Sequence, residues 1–253
     1  GIGIQSTKLQ VVRSGVPGLA CLGECTLPIK TAGRIALPNN CRPGKNKMAT
    51  IIKEVDIPLM LDSEVVATFI SFDDLKDPVE HIAIRLGGFK ADGRRLPLVR
   101  LHSECLTGDI FHSMKCDCGD QLSESLRLIN EVGGYLIYLR QEGRGIGLYK
   151  KLEAYALQQY SGVDTYEANN MLGFADDLRD YFDAAQMLQA LGCPKIILLT
   201  NNPEKELQLR NLGIEISEVK STSMHIGKHN EGYIKAKIEV TNHQFTAQAG
   251  VSQ

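Results

Sequence analysis

Apolar and polar residues alternate in two different ways along the chain, and the change falls near residue 119. In the front part, runs at 64–70, 81–86 and 97–102 are rich in β-branched and aliphatic residues. An acidic loop and the turn dipeptides Gly-Gly and Asp-Gly separate these runs. The pattern predicts a β-rich front built from short strands.

Behind residue 119, apolar positions recur at helical spacing and alternate with short apolar runs. Helices are predicted around 122–132, 148–156, 182–191 and 203–212, and strands at 135–139, 195–200 and 214–219. Asn202 directly before Pro203 is typical of a helix start. The predicted fold class is therefore α+β, with a β-rich N-terminal half followed by an alternating α/β, βαβ-like C-terminal half.

The first 47 residues differ from the rest of the chain. They mix Gly, Pro, Asn and Thr without a sustained period, which predicts an irregular N-terminal extension, poorly ordered or a leader placed before Met48 as the natural start. Residues 48–253 are expected to form the domain that carries the chemistry.

Charge and composition narrow the class of partner. The chain has 28 Lys and Arg against 30 Asp and Glu, a net charge of −2. Proteins that bind nucleic-acid polymers usually carry a basic excess, so a small anionic ligand fits better. The sequence contains no run of about 18 apolar residues, so we predict no membrane span. It also shows no signal-peptide pattern. We therefore expect a cytoplasmic protein without a membrane partner.

Three cysteines form the sharpest chemical feature. Cys105, Cys116 and Cys118 lie within 14 residues, and thiolates in such a cluster favour zinc. Three protein ligands leave a fourth position for water, whose pKa zinc lowers, and this is the catalytic arrangement. Two alternatives stay open: a structural zinc completed by His102, His112 or Cys193, or buried thiols without a metal.

Three further segments carry charge near predicted turns. Arg140 and Arg144 stand in a turn with three glycines in five residues, where they could hold phosphates or form salt bridges. Lys205 lies in the first turn of a predicted helix, where its charge opposes the helix dipole unless an anion binds there. The run 176–180 is either a solvated helix start or a general base beside a phosphate-binding arginine.

Taken together, five segments resemble the GTP cyclohydrolase II family in order and spacing. They are Arg100-Leu-His-Ser-Glu-Cys-Leu-Thr-Gly-Asp109, Cys116-Asp-Cys118-Gly, Arg140-Gln-Glu-Gly-Arg-Gly-Ile-Gly147, Thr165-Tyr-Glu-Ala-Asn169 and Leu199-Thr-Asn-Asn-Pro203. The similarity covers roughly residues 97–245, and it makes 48–253 a GTP cyclohydrolase II-like catalytic domain.

The resemblance implies a role for each matching position. Cys105, Cys116 and Cys118 match zinc ligands, with one Zn²⁺ per chain. Asp177 matches a proton acceptor, Arg179 an arginine proposed to attack the α-phosphate, and Tyr155 a tyrosine near zinc and purine. The positions that match GTP-binding residues are Arg100, Leu101, His102, Ser103, Glu104, Gln121, Glu142, Gly143, Arg144, Thr165, Thr200 and Lys205.

The activity that the resemblance implies is zinc-dependent opening of the GTP imidazole ring at C8, the first step of riboflavin biosynthesis. It consumes three waters and yields formate, pyrophosphate and 2,5-diamino-6-ribosylamino-4(3H)-pyrimidinone 5′-phosphate. Mg²⁺ accompanies the triphosphate, and family members are typically homodimers.

Some positions depart from the family pattern. Leu178 replaces a family glutamate, and the segments 58–63 and 224–233 also differ. These changes keep two alternatives open: a diverged paralog that acts on a related nucleotide or in pyrimidine catabolism, or a catalytically silent nucleotide-binding regulator.

Overall fold

A mixed sheet of seven strands forms the frame of the protein. The structure, a computed structural model, describes residues 48–161, 177–227, 229, 230 and 234. The strands are β1 Thr50–Met60, β2 Glu64–Asp73, β3 Ile82–Leu86, β4 Leu98–Ser103, β5 Gly134–Leu139, β6 Lys195–Leu199 and β7 Glu215–Lys220. Their order across the sheet is β1-β2-β3-β5-β4-β6-β7.

The sheet changes character from one side to the other. The pairs β1–β2, β2–β3 and β3–β5 are antiparallel, whereas β4 runs parallel to both β5 and β6, and β6 parallel to β7. Strands β4 and β5 are buried along nearly their whole length, as expected for parallel strands covered on both faces. The carboxyl ends of β4, β5 and β6 therefore meet at one edge of the sheet.

In the described part of the chain, five helices connect and cover the strands. They are α1 Leu106–Asp109, α2 Cys118–Val132, α3 Leu148–Ser161, α4 Phe182–Ala190 and α5 Pro203–Asn211, and a 3-10 turn spans Glu142–Gly145. Ile129 of α2 packs on one face of the sheet with Leu98 and Leu136. Met187 of α4 and Leu209 of α5 pack on the opposite face.

The predicted fold class is confirmed, and the sequence placed most elements within a few residues. Asn202 accepts a hydrogen bond from the Glu204 N–H and caps α5, which begins at Pro203 as predicted. Helix α2 begins at Cys118, so its first turn carries a cysteine of the cluster. Strand β1 was predicted only as part of a strand-like region. Strand β1 contains Pro58, which has no backbone N–H to donate. An edge strand tolerates proline because its outer side forms no hydrogen bonds with a neighbouring strand.

Two expectations on chain organisation have different outcomes. Residues 1–47 lie outside the described residues, so the division at 47 stays a prediction. Among the helices that are described, none has the length and apolar content needed to cross a lipid bilayer.

Candidate active site

A cleft lies at the edge where β4, β5 and β6 end. Each strand is followed by a segment that lines the cleft: Cys105 after β4, the 3-10 turn after β5, and Thr200 after β6. Parallel α/β sheets bind ligands beyond the carboxyl ends of their strands, where the connecting loops part. The cleft and its open mouth together hold about 1140 Å³ of space not filled by atoms, enough for a small-molecule ligand.

The three cysteines of the cluster meet at the floor of this cleft. The three sulfur atoms, those of Cys105, Cys116 and Cys118, all lie within 4.8 Å of one another. The Cys105 and Cys116 sulfurs are 3.6 Å apart. Two sulfurs bound tetrahedrally to zinc at about 2.3 Å lie about 3.8 Å apart. The donor set thus fits a zinc ion, and among the described residues no fourth His, Cys, Asp or Glu joins this group.

Gly108 explains how the cysteines come so close. A Cβ built on Gly108 would lie 2.9 Å from the Cys116 sulfur and 3.1 Å from the Cys105 sulfur. A Cβ on Gly119 would lie 2.5 Å from the Gly108 carbonyl oxygen. Because neither glycine has a side chain, α1 can pack directly against the start of α2, and the sulfurs converge.

Asp109 anchors the segment that carries Cys105. Its carboxylate accepts hydrogen bonds from the Cys105 N–H at 3.0 Å and the Tyr138 hydroxyl at 2.9 Å, and lies 3.0 Å from His102 Nε2. His102 also stacks on Tyr138. Burial lowers the pKa of His102 and raises that of Tyr138. This network fixes the cysteine loop through Asp109, since the carboxylate contacts the backbone of Cys105.

A lysine lies beside the sulfur cluster. Lys151 Nζ donates to the Cys105 sulfur at 3.1 Å and to Glu142 Oε1 at 2.9 Å. Hydrogen bonds from Cys116 and Cys118 hold the pKa of Cys105 far below its usual value, and the Lys151 charge adds to this effect. Burial alone would lower the pKa of Lys151, but the negative charge of Cys105 and the bond to Glu142 raise it overall. Lys151 is therefore a cation.

The 3-10 turn presents Arg144 to the cleft in an uncommon backbone conformation. Gly143, Arg144 and Gly145 have φ values of 61°, 59° and 90°. For an L-residue such as arginine this left-handed region costs about 1–2 kcal/mol. The turn is held in place because the Leu178 N–H donates to the Arg144 carbonyl at 3.1 Å.

Glu142 begins this turn, and its carboxylate accepts hydrogen bonds from other groups of the protein. Its carboxylate accepts hydrogen bonds from the N–H groups of Leu106 and Gly143, at 2.7 and 2.8 Å, as well as from Lys151. These contacts join the segments after β4 and β5. Glu142 therefore helps to shape the cleft that it lines, and its predicted contact with substrate stays a prediction.

Arg100 lies on the inner wall of the cleft and is held by neutral acceptors. Its guanidinium donates to the Leu199 carbonyl at 3.2 Å and to Gln121 Oε1 at 2.7 Å, and Gln121 in turn donates to Asp117. Burial lowers the pKa of Arg100. Its Nε is buried and has no acceptor among the described residues.

Three hydrogen bonds join Arg179 to the Asp177 carboxylate, one from its backbone N–H at 3.0 Å and two from its guanidinium. Arg179 Nε donates to Asp177 at 2.8 Å, a second bond joins Arg179 Nη2 to the other carboxylate oxygen, and Arg179 Nη1 lies 3.5 Å from the Ser103 hydroxyl. Burial alone would raise the pKa of Asp177, but its hydrogen bonds to Arg179 lower it overall. Leu178 between them is 54% exposed and does not line the cleft.

The segment after β6 supplies a further cation. Lys205 is 6% exposed, lines the cleft, and donates to the Leu101 carbonyl at 2.7 Å. Two of the N–H groups at the start of α5, those of Glu204 and Lys205, already donate to Asn202. The helix N-terminus is thus capped by its own asparagine, and the ammonium group is the stronger candidate for an anion contact.

The structure brings 16 of the 18 predicted site residues to the wall of this cleft. They are Arg100, His102, Ser103, Glu104, Cys105, Cys116, Cys118, Gln121, Glu142, Gly143, Arg144, Tyr155, Asp177, Arg179, Thr200 and Lys205. Leu101 does not line the cleft: its side chain is in the core, and its carbonyl holds Lys205. Thr165 lies outside the described residues.

The sequence reasoning missed some residues of the cleft, and Arg140 forms the salt bridge that was one of its two predicted roles. Lys151 and Gln141 line the cleft without having been predicted. Lys151 could have been predicted from its spacing, because it lies four residues before Tyr155 and therefore on the same side of α3. Arg140, which was considered for phosphate binding, does not line the cleft. It is paired with Glu104 at 2.8 Å.

A second group of potential metal ligands lies away from the cleft. His81 Nε2 is 3.7 Å from Asp183 and 4.0 Å from Asp77. However, His81 Nδ1 accepts the Arg140 N–H, so the neutral ring carries its proton on Nε2. Asp183 accepts the N–H groups of Lys76 and Asp77. The hydrogen bonds of Asp183 join the loop before β3 to α4, whereas His81 Nε2 has no hydrogen-bond partner among the described residues.

Comparison with known proteins agrees with this geometry. The profile of the GTP cyclohydrolase II family matches residues 53–221. A GTP cyclohydrolase-2 of Vibrio cholerae is 53% identical over 198 residues, which are 78% of this chain and 99% of that relative. One from Aliivibrio fischeri is 51% identical over 191 residues, 75% of this chain and 94% of the relative.

A riboflavin biosynthesis protein RibBA of Thermotoga maritima is also similar. It is 47% identical over 176 residues, which are 70% of this chain and 44% of that protein. The family profile and the full-length relatives share the region that forms the cleft. This chain belongs to the GTP cyclohydrolase II family and is an enzyme of that type.

Proposed function

We propose that the chain hydrolyses GTP in a zinc-dependent reaction that opens the imidazole ring at C8. Three waters are consumed, and formate, pyrophosphate and 2,5-diamino-6-ribosylamino-4(3H)-pyrimidinone 5′-phosphate are formed, the first step of riboflavin biosynthesis. The observation that carries this proposal is the convergence of three cysteine sulfurs at the floor of a cleft lined by cationic side chains.

In this proposal Cys105, Cys116 and Cys118 hold one zinc ion. Their spacing supports it, since the 3.6 Å between two sulfurs is close to the separation that tetrahedral zinc requires. When bound, zinc supplies a Lewis acid that activates water for attack on an electron-poor carbon. Asp109 and Gly108 serve the site by fixing the loop and by leaving room for the sulfurs.

Five cationic side chains in the cleft suit a triphosphate. Arg100, Arg144, Lys151, Arg179 and Lys205 line it, although the whole chain has a net charge of −2. Concentrating positive charge in one partly enclosed cleft attracts an anionic substrate more strongly than the net charge suggests. We assign the triphosphate to Arg144, Arg179 and Lys205, with Mg²⁺ bound to the phosphates.

Asp177 and Arg179 have linked roles in the proposal. Arg179 attacks the α-phosphate, so that an N–P bond forms, the bond to pyrophosphate breaks, and Asp177 accepts the proton that the guanidinium loses. Water then cleaves the N–P bond and restores Arg179. The direct contact between Asp177 and Arg179 supports this linkage, because a phosphate that draws the Arg179 guanidinium away weakens the interactions that depress the Asp177 pKa. The carboxylate then becomes a stronger base when substrate is present. Tyr155 lies in the same cleft wall and is assigned to the purine.

The deciding experiment is mass spectrometry of products after incubation of the zinc-loaded protein with GTP and Mg²⁺. Formate, pyrophosphate and the ring-opened product are expected in equal amounts, and a Cys116→Ser variant should lose both metal and turnover. Release of pyrophosphate without formate, or turnover of other nucleotides but not GTP, would refute the proposal. A homodimer in the cytoplasm is part of the proposal, and light scattering of the purified protein tests the dimer.

A further inference from the structure

Lys151 joins the sulfur cluster to the turn that carries Arg144. Its ammonium group donates to the Cys105 sulfur at 3.1 Å, to the Thr107 hydroxyl at 3.0 Å and to Glu142 Oε1 at 2.9 Å. The side chain is 11% exposed. An ammonium group has three N–H donors, and here each has an acceptor. The group is therefore fixed in direction and little screened by water.

The charges at the cluster explain why a cation lies there. Three thiolates and one divalent metal ion sum to one negative charge. Two of the three cysteines are buried, and an uncompensated charge in such surroundings is costly. Lys151 brings one positive charge into contact with the Cys105 sulfur and so offsets the charge of the site locally. The Glu142 carboxylate that shares this ammonium group is also stabilised by the N–H groups of Leu106 and Gly143.

We propose that Lys151 is a positioning residue for the metal: it compensates the charge of the three-cysteine site and directs the Cys105 sulfur toward the ion. The inference rests on the proposed function, because it requires a metal at this cluster. It goes beyond that function because it assigns the strength of metal binding to a residue that is not itself a ligand. Residues that contact ligands in this way typically change metal affinity by about 10–100-fold when mutated.

Cobalt(II) is the probe that separates a contact with sulfur from a general structural role. Thiolates bound to cobalt give a charge-transfer band, in which an electron moves from sulfur to the metal. A hydrogen bond from an ammonium group stabilises the sulfur electrons and raises the energy of that band. Loss of the Lys151 contact should therefore move the band to longer wavelength, a change that altered packing elsewhere does not produce.

Three substitutions and one control form the test. Lys151→Met removes the positive charge and the N–H donors. Lys151→Gln removes the charge but keeps an N–H donor for Glu142, so it remains informative if Lys151→Met does not fold. Glu142→Gln weakens the link to the turn but leaves the Lys151–Cys105 contact. Lys150→Met is the matched control, because Lys150 is the neighbouring lysine and its ammonium pairs with Glu153 on the outer side of α3 at 2.8 Å.

The expected result is specific. Lys151→Met and Lys151→Gln should bind Zn²⁺ and Co²⁺ about 10–100-fold more weakly, with the charge-transfer band at longer wavelength. Lys150→Met should match the wild type in affinity and in band position, and Glu142→Gln should keep the wild-type band position.

Two results would overturn the inference. In the first, both Lys151 variants keep the wild-type affinity and band. In the second, Glu142→Gln reproduces their whole effect, which would mean that Lys151 acts through the turn. Either result leaves the wild-type band intact and the proposed function standing. Absence of a thiolate-to-cobalt band in the wild-type protein would instead refute the metal site itself.

Discussion

Replacing Gly108 by alanine adds a single methyl group at the centre of the sulfur cluster. The new Cβ would lie 2.9 Å from the Cys116 sulfur, and 3.1 Å from both the Cys105 sulfur and the Cys118 Cβ. The φ of Gly108 is outside the left-handed region, so alanine can adopt the same backbone conformation. The effect of the substitution is therefore confined to the crowding of the three cysteines.

The size of the effect follows from these distances. Non-bonded carbon atoms prefer separations of about 3.5–4.0 Å, so the methyl group is too close by about half an ångström or more. Overpacking of this kind costs about 1–3 kcal/mol. Metal–ligand distances tolerate deviations of about 0.2 Å, so sulfurs that move apart to relieve the crowding no longer hold the ion well. If the whole cost falls on the metal-bound form, zinc affinity decreases by about 5–150-fold.

Competition with a chelator measures this affinity, and formate release from GTP measures the activity that depends on it. Gly227→Ala is the matched control, because among the described residues a Cβ there meets only Asn230 Oδ1, at an ordinary contact distance of 3.8 Å. We expect Gly108→Ala to lose zinc at chelator concentrations that leave the control loaded. A Gly108→Ala protein with wild-type zinc affinity would refute the close packing of the cysteines around this glycine.

Three further predictions test other parts of the site and the fold. Lys205→Ala should raise the KM for GTP more than it lowers kcat in steady-state assays, because Lys205 is assigned to ground-state phosphate binding; an unchanged KM would remove that assignment. Leu178→Glu should leave kcat/KM for GTP within about twofold of the wild type, since position 178 is exposed and outside the cleft; a large change in kcat/KM would instead support a diverged paralog. Burial alone would raise the pKa of Asp183, but the nearby His81, whose Nε2 is 3.7 Å away, and hydrogen bonds from two loop N–H groups lower it overall. The ionised form of Asp183 therefore stabilises the fold at neutral pH, and this stabilisation is lost as pH falls through the depressed pKa. Asp183→Asn should therefore reduce the free energy of unfolding by about 1–3 kcal/mol at pH 7 and by less in acid, as measured by urea denaturation; an equal loss at both pH values would contradict this account.

The sequence predicted most elements and the cysteine cluster from local patterns, whereas most other residues of the cleft were predicted from the resemblance to the GTP cyclohydrolase II family. The helix that begins at Pro203 has a capping asparagine directly before it, and that cap is present in the structure. The cysteines were recognised from their spacing alone, and their sulfurs do converge. Short-range chemistry of this kind leaves a signature within a few residues of the chain.

Contacts between distant segments left a weaker signature. The placement of β4 between β5 and β6 depends on how the whole sheet packs. Arg140 follows the same strand as Arg144, and only the fold shows that Arg140 turns to Glu104 while Arg144 lines the cleft. Lys151 lies 46 residues from the Cys105 sulfur that it contacts. Pairings over such distances are set by tertiary structure, and residue type alone does not determine them.

The partners of the cationic side chains indicate how a nucleotide would enter the cleft. Arg100 and Lys205 donate hydrogen bonds to carbonyl and amide oxygens. Arg179 forms an ion pair with Asp177. A phosphate that contacts Arg179 must therefore displace Asp177 from it. In the proposed function this exchange occurs only when phosphate is bound, and it raises the basicity of Asp177 at the moment when a proton acceptor is needed.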